Sequence, residues 1–341
     1  MKNGRSALMI IAVLSTACHQ VTEYQGGGSS NLYIIDTGDF GIKGTVGDLS
    51  GGGTVVANGP DEVLVIGTDG VLHRIDLQTF SVDTSFSIGG SSGTGYGDAS
   101  IATNGNLYCL GPGSQVIEVD LGSNTVEDNF SPGPKPGSLA ANPVEGRLYF
   151  TDSEENTIGE ILTSTNTTSF VSTTYYPPAD VMVEPTGGRH LVAVCSNSLG
   201  SIYFIWLDLS TSARLAQIEA LDPCSSVIPM TSDSLYAICC PRWGSPSGKI
   251  LLVRGYEVPQ ELLSRSVEGH PVEMCFNGQS GESGYLSVLG RTDSGGTVLS
   301  VFALDFYHAD LEQVCSMELD GIPIDLASPG DGRYIVVLTS D

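Results

Sequence analysis

One short motif returns seven times along the chain: VLVIG (Val63–Gly67), NLYCL (Asn106–Leu110), RLYFT (Arg147–Thr151), HLVAV (His190–Val194), SLYAI (Ser234–Ile238), GYLSV (Gly284–Val288) and RYIVV (Arg333–Val337). From Leu64 through Leu107, Leu148, Leu191, Leu235 and Tyr285 to Tyr334 the steps are 43, 41, 43, 44, 50 and 49 residues. Each motif is too short and too rich in β-formers to be a helix, and such a period is that of a four-stranded propeller blade. The clearest copy is Pro136–Val171, where Ser138–Asn142, Leu148–Thr151, Ile158–Leu162 and Thr167–Val171 read as strands A to D between turns such as Pro143–Gly146 and Ser153–Asn156.

Counting units closes the ring. Asn31–Asp36 and Phe40–Val46 read as a C and a D strand with no A or B before them, while Ile322–Ala327 and Arg333–Leu338 read as an A and a B strand after which the chain stops. Joined, they make one composite blade. The others span 53–87, 98–130, 137–174, 179–219, 224–267 and 271–318, so the fold expected is an all-β, seven-bladed β-propeller over residues 31–341. Each blade has four antiparallel strands, and the last is closed by the N- and C-terminal strands, which removes an exposed sheet edge.

The first 30 residues have a different character. Lys2 and Arg5 precede the apolar run Ala7–Leu14, and Ser15-Thr16-Ala17 ends it with small residues, so residues 1–17 read as an export signal. With Cys18 following, LSTAC resembles a bacterial lipoprotein signal, which implies palmitate-type lipidation of Cys18 and a flexible tether over residues 18–30. Plain cleavage after Ala17 is the alternative. The implied address is the cell envelope, at the outer membrane or cell surface rather than the inner membrane, with the membrane touched through the N-terminal lipid only.

The chain carries a net charge of −25, and loss of Lys2 and Arg5 with the signal takes it to −27. Nucleic acid and anionic lipid both require a cationic face, so neither is expected as a partner. Much of the acidity has a local cause: Asp36, Asp76, Asp120, Asp208 and Asp305 recur where strand C ends, positioned to accept N–H bonds from the next turn. The units PGSLAANPVEGRLYFTDSEENTIGEI and PADVMVEPTGGRHLVAV resemble the YVTN-type β-propeller repeat. That resemblance implies the fold and leaves the chemistry open, because propellers host enzymes, binders and scaffolds alike.

Two sets of side chains are candidates for function. Loops at the mouth of the channel carry Tyr96, Tyr175, Tyr176, Arg242 and Trp243, residue types that form binding hot spots for an envelope protein or a glycan and that also serve as covers over blade cores. Two residues beyond Pro136, Pro178, Pro223, Pro271 and Pro323 lie Ser138, Asp180, Ser225, Glu273 and Asp325. Their three carboxylates either hold Ca²⁺ at the channel mouth, an arrangement resembling the propeller lactonases, or form a solvated acidic funnel. No metalloprotease, haem, nucleophile-elbow or phosphate-loop motif occurs, and His73, His190, His270 and His308 are scattered without ligand spacing. No catalytic residue is assigned. Eight cysteines less Cys18 leave an odd number. Cys224 and Cys240 are placed for a cross-strand disulfide, with a vicinal Cys239–Cys240 bond as the competing arrangement, while Cys109 and Cys275 read as small apolar strand residues.

The reading that follows is a non-catalytic, lipid-anchored envelope propeller acting as a binding or scaffold module. A metal-dependent hydrolase of propeller-lactonase type is the alternative.

Overall fold

The computed structural model describes residues 29–89, 97–184, 187–196, 202–219, 226–230, 235–240, 247–254, 260–277, 284–305, 308, 310–329 and 332–340. Among them, 28 strands form seven four-stranded antiparallel sheets. Blades 1 to 6 are β3–β6 (52–87), β7–β10 (99–130), β11–β14 (136–173), β15–β18 (178–219), β19–β22 (226–268) and β23–β26 (270–319). The seventh joins β27 (Ile322–Ala327) and β28 (Tyr334–Ser340) to β1 (Ser29–Asp36) and β2 (Ile42–Ser50), in the order β2-β1-β28-β27. The composite blade and the other six therefore match the boundaries expected from the repeat to within a few residues. Seven continuous pairs from Ser30↔Ser340 to Asp36↔Tyr334 lock the two ends of the chain together.

Burial explains why the B strand is the legible one. A blade has neighbours on both faces, so its middle strands are covered on both sides and read as unbroken apolar runs. Every residue of β28 is buried, as is every residue of β20 (Leu235–Cys240). Outer strands have a single sheet neighbour and are largely exposed, as in β6 (Ser81–Ser87) and β10 (Thr125–Phe130). Buried apolar residues fall into seven clusters, each drawn from two successive blades. Trp206 of blade 4 meets Tyr236 of blade 5 in one of them, with ring centroids 4.3 Å apart.

Turn chemistry accounts for the recurrent aspartates. The carboxylates of Asp36, Asp76, Asp120, Asp208 and Asp305 accept N–H bonds from Gly38, Gln78, Gly122, Ser210 and His308. Four residues past Asp36, Asp76, Asp120 and Asp208 the backbone turns left-handed, at Phe40, Phe80, Asn124 and Ser212, with φ between 53° and 57°. For a phenylalanine that conformation costs about 1 kcal/mol. The cost is offset by reach: Phe40 packs edge-on against Tyr285 of blade 6, and Phe80 against Tyr334 of blade 7. Asn124 in turn accepts a 2.7 Å bond from Arg74 of blade 1.

Candidate functional site

The inner ends of the A strands, where the sequence places its acids, are built alike. Four of these strands carry proline at their first or second residue, where it has no N–H to give to the ladder, and their pairing shifts register within the next three residues. The bulge turns the side chain two positions beyond the proline out of the sheet's alternation. β3 (Gly52–Ala57) does the same with Gly52 in place of proline and Thr54 as the displaced residue.

These side chains join blade to blade. Asp325 accepts from the Thr54 hydroxyl at 2.7 Å and the Val55 amide at 2.8 Å, across the junction between blades 7 and 1, and from its own neighbour Leu326 N–H at 2.7 Å. Asp98 accepts from the Ser138 hydroxyl at 2.7 Å and the Leu139 amide at 2.9 Å, linking blades 2 and 3. Ser138 also approaches Asp180 of blade 4 at 2.9 Å, and Asp180 accepts the Val181 amide. Glu273 accepts the Ser226 hydroxyl at 2.8 Å, linking blades 5 and 6, together with the Met274 amide at 2.9 Å. Asp180 and Glu273 are buried and Asp325 is half-buried. An ionised carboxylate has about four lone-pair sites, and these contacts engage at least two on each acid. Among the described residues no three His, Cys, Asp or Glu side chains come close enough together to hold a metal ion. Asp180, Glu273 and Asp325 thus each serve a different blade junction and are not gathered around one point.

Sequence reasoning missed three parts of this system. Asp98 and Thr54 follow glycine, so a ruler laid on proline passes over them, and Ser226 carries the blade 5 contact one residue beyond Ser225, which lies outside the described residues. Glu118 is a buried carboxylate inside the apolar run VIEVD, and it accepts from Tyr108, Asn106 and Asn166 at 2.6 to 2.7 Å. Burial, and then that bond to Glu118, hold the Tyr108 phenol well above its ordinary pKa. On the opposite ends of the A strands, the Asn142 and Asn277 amides donate to the carbonyls of Gly188 and Gly332 in the next blades at 2.9 and 2.7 Å. The signal for these was an Asn closing strand A with a Gly-Arg pair opening the B strand one blade later.

The aromatic candidates separate. Tyr176 stacks on Tyr203 with centroids 4.6 Å apart and packs against the cluster between blades 3 and 4, which makes it a core cover. Tyr175 is 76% exposed. The guanidinium of Arg214 lies 5.5 Å from the Tyr175 ring centroid and donates to the Thr173 carbonyl at 2.6 Å. Tyr96, Arg242 and Trp243 lie outside the described residues, as do Cys18 and Cys224. Cys240 is buried at the end of β20, where it pairs with Lys249.

These features define a seven-bladed β-propeller whose inner rim is given over to joining blades. No protein-family model and no curated protein sequence matches the chain. Among solved structures it is similar to a chain of Kuenenia stuttgartiensis hydrazine synthase, with a TM-score of 0.69 and 15% identity, covering 86% of this chain and 96% of that one. It is also similar to the RRP9 WD40 repeats, with a TM-score of 0.63, 9% identity and coverage of 85% and 94%. The β-propeller domain of Myceliophteria thermophila Cps50 (Swd1) gives a TM-score of 0.60 at 13% identity, with coverage of 85% and 97%. At such identities the likeness establishes the fold alone.

Proposed function

We propose that this chain is a non-catalytic, lipid-anchored propeller of the bacterial cell envelope that binds a protein or a glycan through its loop face. The observation that carries this reading is the division of labour just described. The inner-rim acids bond to neighbouring blades, whereas Tyr175 stands in solvent with Arg214 beside it, the pair of residue types that dominate binding hot spots. The LSTAC segment supports the envelope address. Two measurements test the proposal. Palmitate labelling in cells should be lost in Cys18→Ser. Capture of an envelope protein or glycan on the immobilised protein should fall at least about tenfold in Tyr175→Ala plus Trp243→Ala. Labelling that persists in Cys18→Ser removes the anchor, and undiminished capture removes the binding face.

A further inference from the structure

We propose that the loop face carrying Tyr175 is turned towards the bilayer that holds Cys18, and that its partner is a basic protein embedded in that same membrane; this rests on the anchor and the binding face proposed above. The strands fix the end of the ring from which the anchor leaves. β1 begins at Ser29, and its first pairs, Ser29↔Ser50 and Ser30↔Ser340, set that start beside the ends of β2 and β28, while Ser340 also pairs with Ile322 at the start of β27. Blade 3 has the same layout at one end only. Thr157 opens β13 (Thr157–Leu162) opposite Asp152 at the end of β12 (Arg147–Asp152) and Thr173 at the end of β14 (Thr167–Thr173), and Asp152 pairs with Pro136 at the start of β11 (Pro136–Ala141). Tyr175 comes two residues after Thr173, so it and the N-terminal segment leave the ring by the same face. On that face Ser29 lies in blade 7 and Tyr175 between blades 3 and 4, half a turn away, so the point of attachment is across the channel from Tyr175 and Arg214.

Ten residues separate Cys18 from Ser29, and however they run the two are at most about 40 Å apart. β1 is eight residues long, about 26 Å from one face of the ring to the other, so turning the opposite face to the bilayer would use most of that reach in passing the blade. The anchor thus presents the loop face. Charge then selects what meets it. Among the described residues in and beside the turns of this face, the exposed acids Asp69, Glu154, Glu155, Asp293 and Asp320 outnumber the exposed bases Lys135 and Arg291. Such a face repels anionic headgroups and acidic glycans and attracts a protein that presents lysine and arginine. A soluble protein would have to enter the gap between ring and bilayer, whereas an embedded one is already there.

Two measurements on the full-length, lipid-bearing chain test this. Glu145 and Glu154 are exposed beyond opposite ends of β12, so a dye on Glu145→Cys or Glu154→Cys, with the unsubstituted protein as blank, reads which end is nearer the bilayer by energy transfer to an acceptor on the lipid headgroups. With the two sites about 20 Å apart, the Glu154 dye is expected to transfer at least about twofold more. The second measurement is capture from detergent-solubilised envelope membranes that have first been stripped of peripheral proteins with alkaline carbonate. Capture should persist after stripping, disappear when the membranes are digested with protease, and fall at least about tenfold in Glu154→Lys plus Glu155→Lys. Equal or greater transfer from the Glu145 dye, capture lost on stripping, capture that survives protease as a glycan would, or undiminished capture by the double lysine variant would each overturn the inference with the anchor and the binding face intact. Palmitate labelling that persists in Cys18→Ser, or undiminished capture in Tyr175→Ala plus Trp243→Ala, would instead remove the reading beneath it.

Discussion

Replacing Asp325 by alanine tests whether the inner-rim carboxylates are joints between blades or free ligands. Asp325 bridges the junction where the two ends of the chain close the ring, accepting three bonds of 2.7 to 2.8 Å from Thr54, Val55 and Leu326. A hydrogen bond to a charged acceptor contributes about 1.5 to 3 kcal/mol, and the half-buried position argues for the lower figure. Alanine would also strand the Val55 and Leu326 amides, so the expected loss is about 3 to 5 kcal/mol. A suitable control is Asp76→Ala, which removes an exposed turn acceptor and should cost about 0.5 to 1 kcal/mol. Both are measured by urea unfolding followed through Trp206, which is 1% exposed and packed between blades 4 and 5. A shift in midpoint at constant slope reports stability, and the wild-type curve should be indifferent to EDTA. Should Asp325→Ala cost no more than Asp76→Ala, or EDTA alone shift the wild type, the carboxylate is not acting as a joint and a cation at the channel must be reconsidered.

Three further outcomes follow from the same contacts. Gly188 has φ +60°, and a Cβ there would collide with the Asn142 side chain that bonds its carbonyl, so Gly188→Ala should cost about 2 to 3 kcal/mol by the same unfolding assay, against a few tenths for Gly146→Ala. Burial pushes the Cys109 and Cys195 thiols up to about 12, so at pH 8 the thiolate is on the order of one part in ten thousand. Alkylation mapped by mass spectrometry should reach both only after unfolding, and rapid labelling of either in the native protein would contradict their burial. Burial also holds His73 below its ordinary 6.5, partly countered by Asp69, so the folded state takes up the proton less readily than the unfolded chain. Its contribution is therefore intact above about pH 6.5 and is lost as pH falls through the folded value, and the drop in melting temperature from pH 7.5 to 5 should be smaller in His73→Gln than in the wild type.

The parts of the fold legible in the sequence are those where one physical demand falls on the same residue in every blade. Both faces of a B strand are covered, so VLVIG, RLYFT and RYIVV repeat, and the turn after strand C needs a side-chain acceptor, so Asp recurs. The inner-rim acids were legible as positions but not as roles. Asp180 and Asp325 sit where a ligand would also place them, and only the neighbouring Ser138 hydroxyl or the Thr54 and Val55 pair shows what their oxygens face. Glu118 and Asn142 were missed because each meets a partner in another blade, Asn166 and Gly188, some 46 to 48 residues away in sequence. Contacts at one repeat length leave no local pattern.

The same geometry shows how an acidic chain puts its carboxylates to use in holding a ring together. At the inner rim each carboxylate is shared between its own strand's amide and a donor on the adjacent blade, so a bond that satisfies the bulge also fixes the angle between blades. At the far ends of the strands Phe40, Phe80 and Asn124 adopt left-handed backbone and reach back to the preceding blade. Each junction whose contacts are described at both ends is thereby tied at two heights around an apolar cluster, and the exposed outer strands take little part in it. That is where β14 departs from the other outer strands. It carries threonine, serine and phenylalanine where its six counterparts carry acids. Substituting Thr168→Glu on this exposed strand should therefore cost little or nothing in stability, and a loss of more than about 1 kcal/mol in urea unfolding would show that the outer strand does bear on the ring.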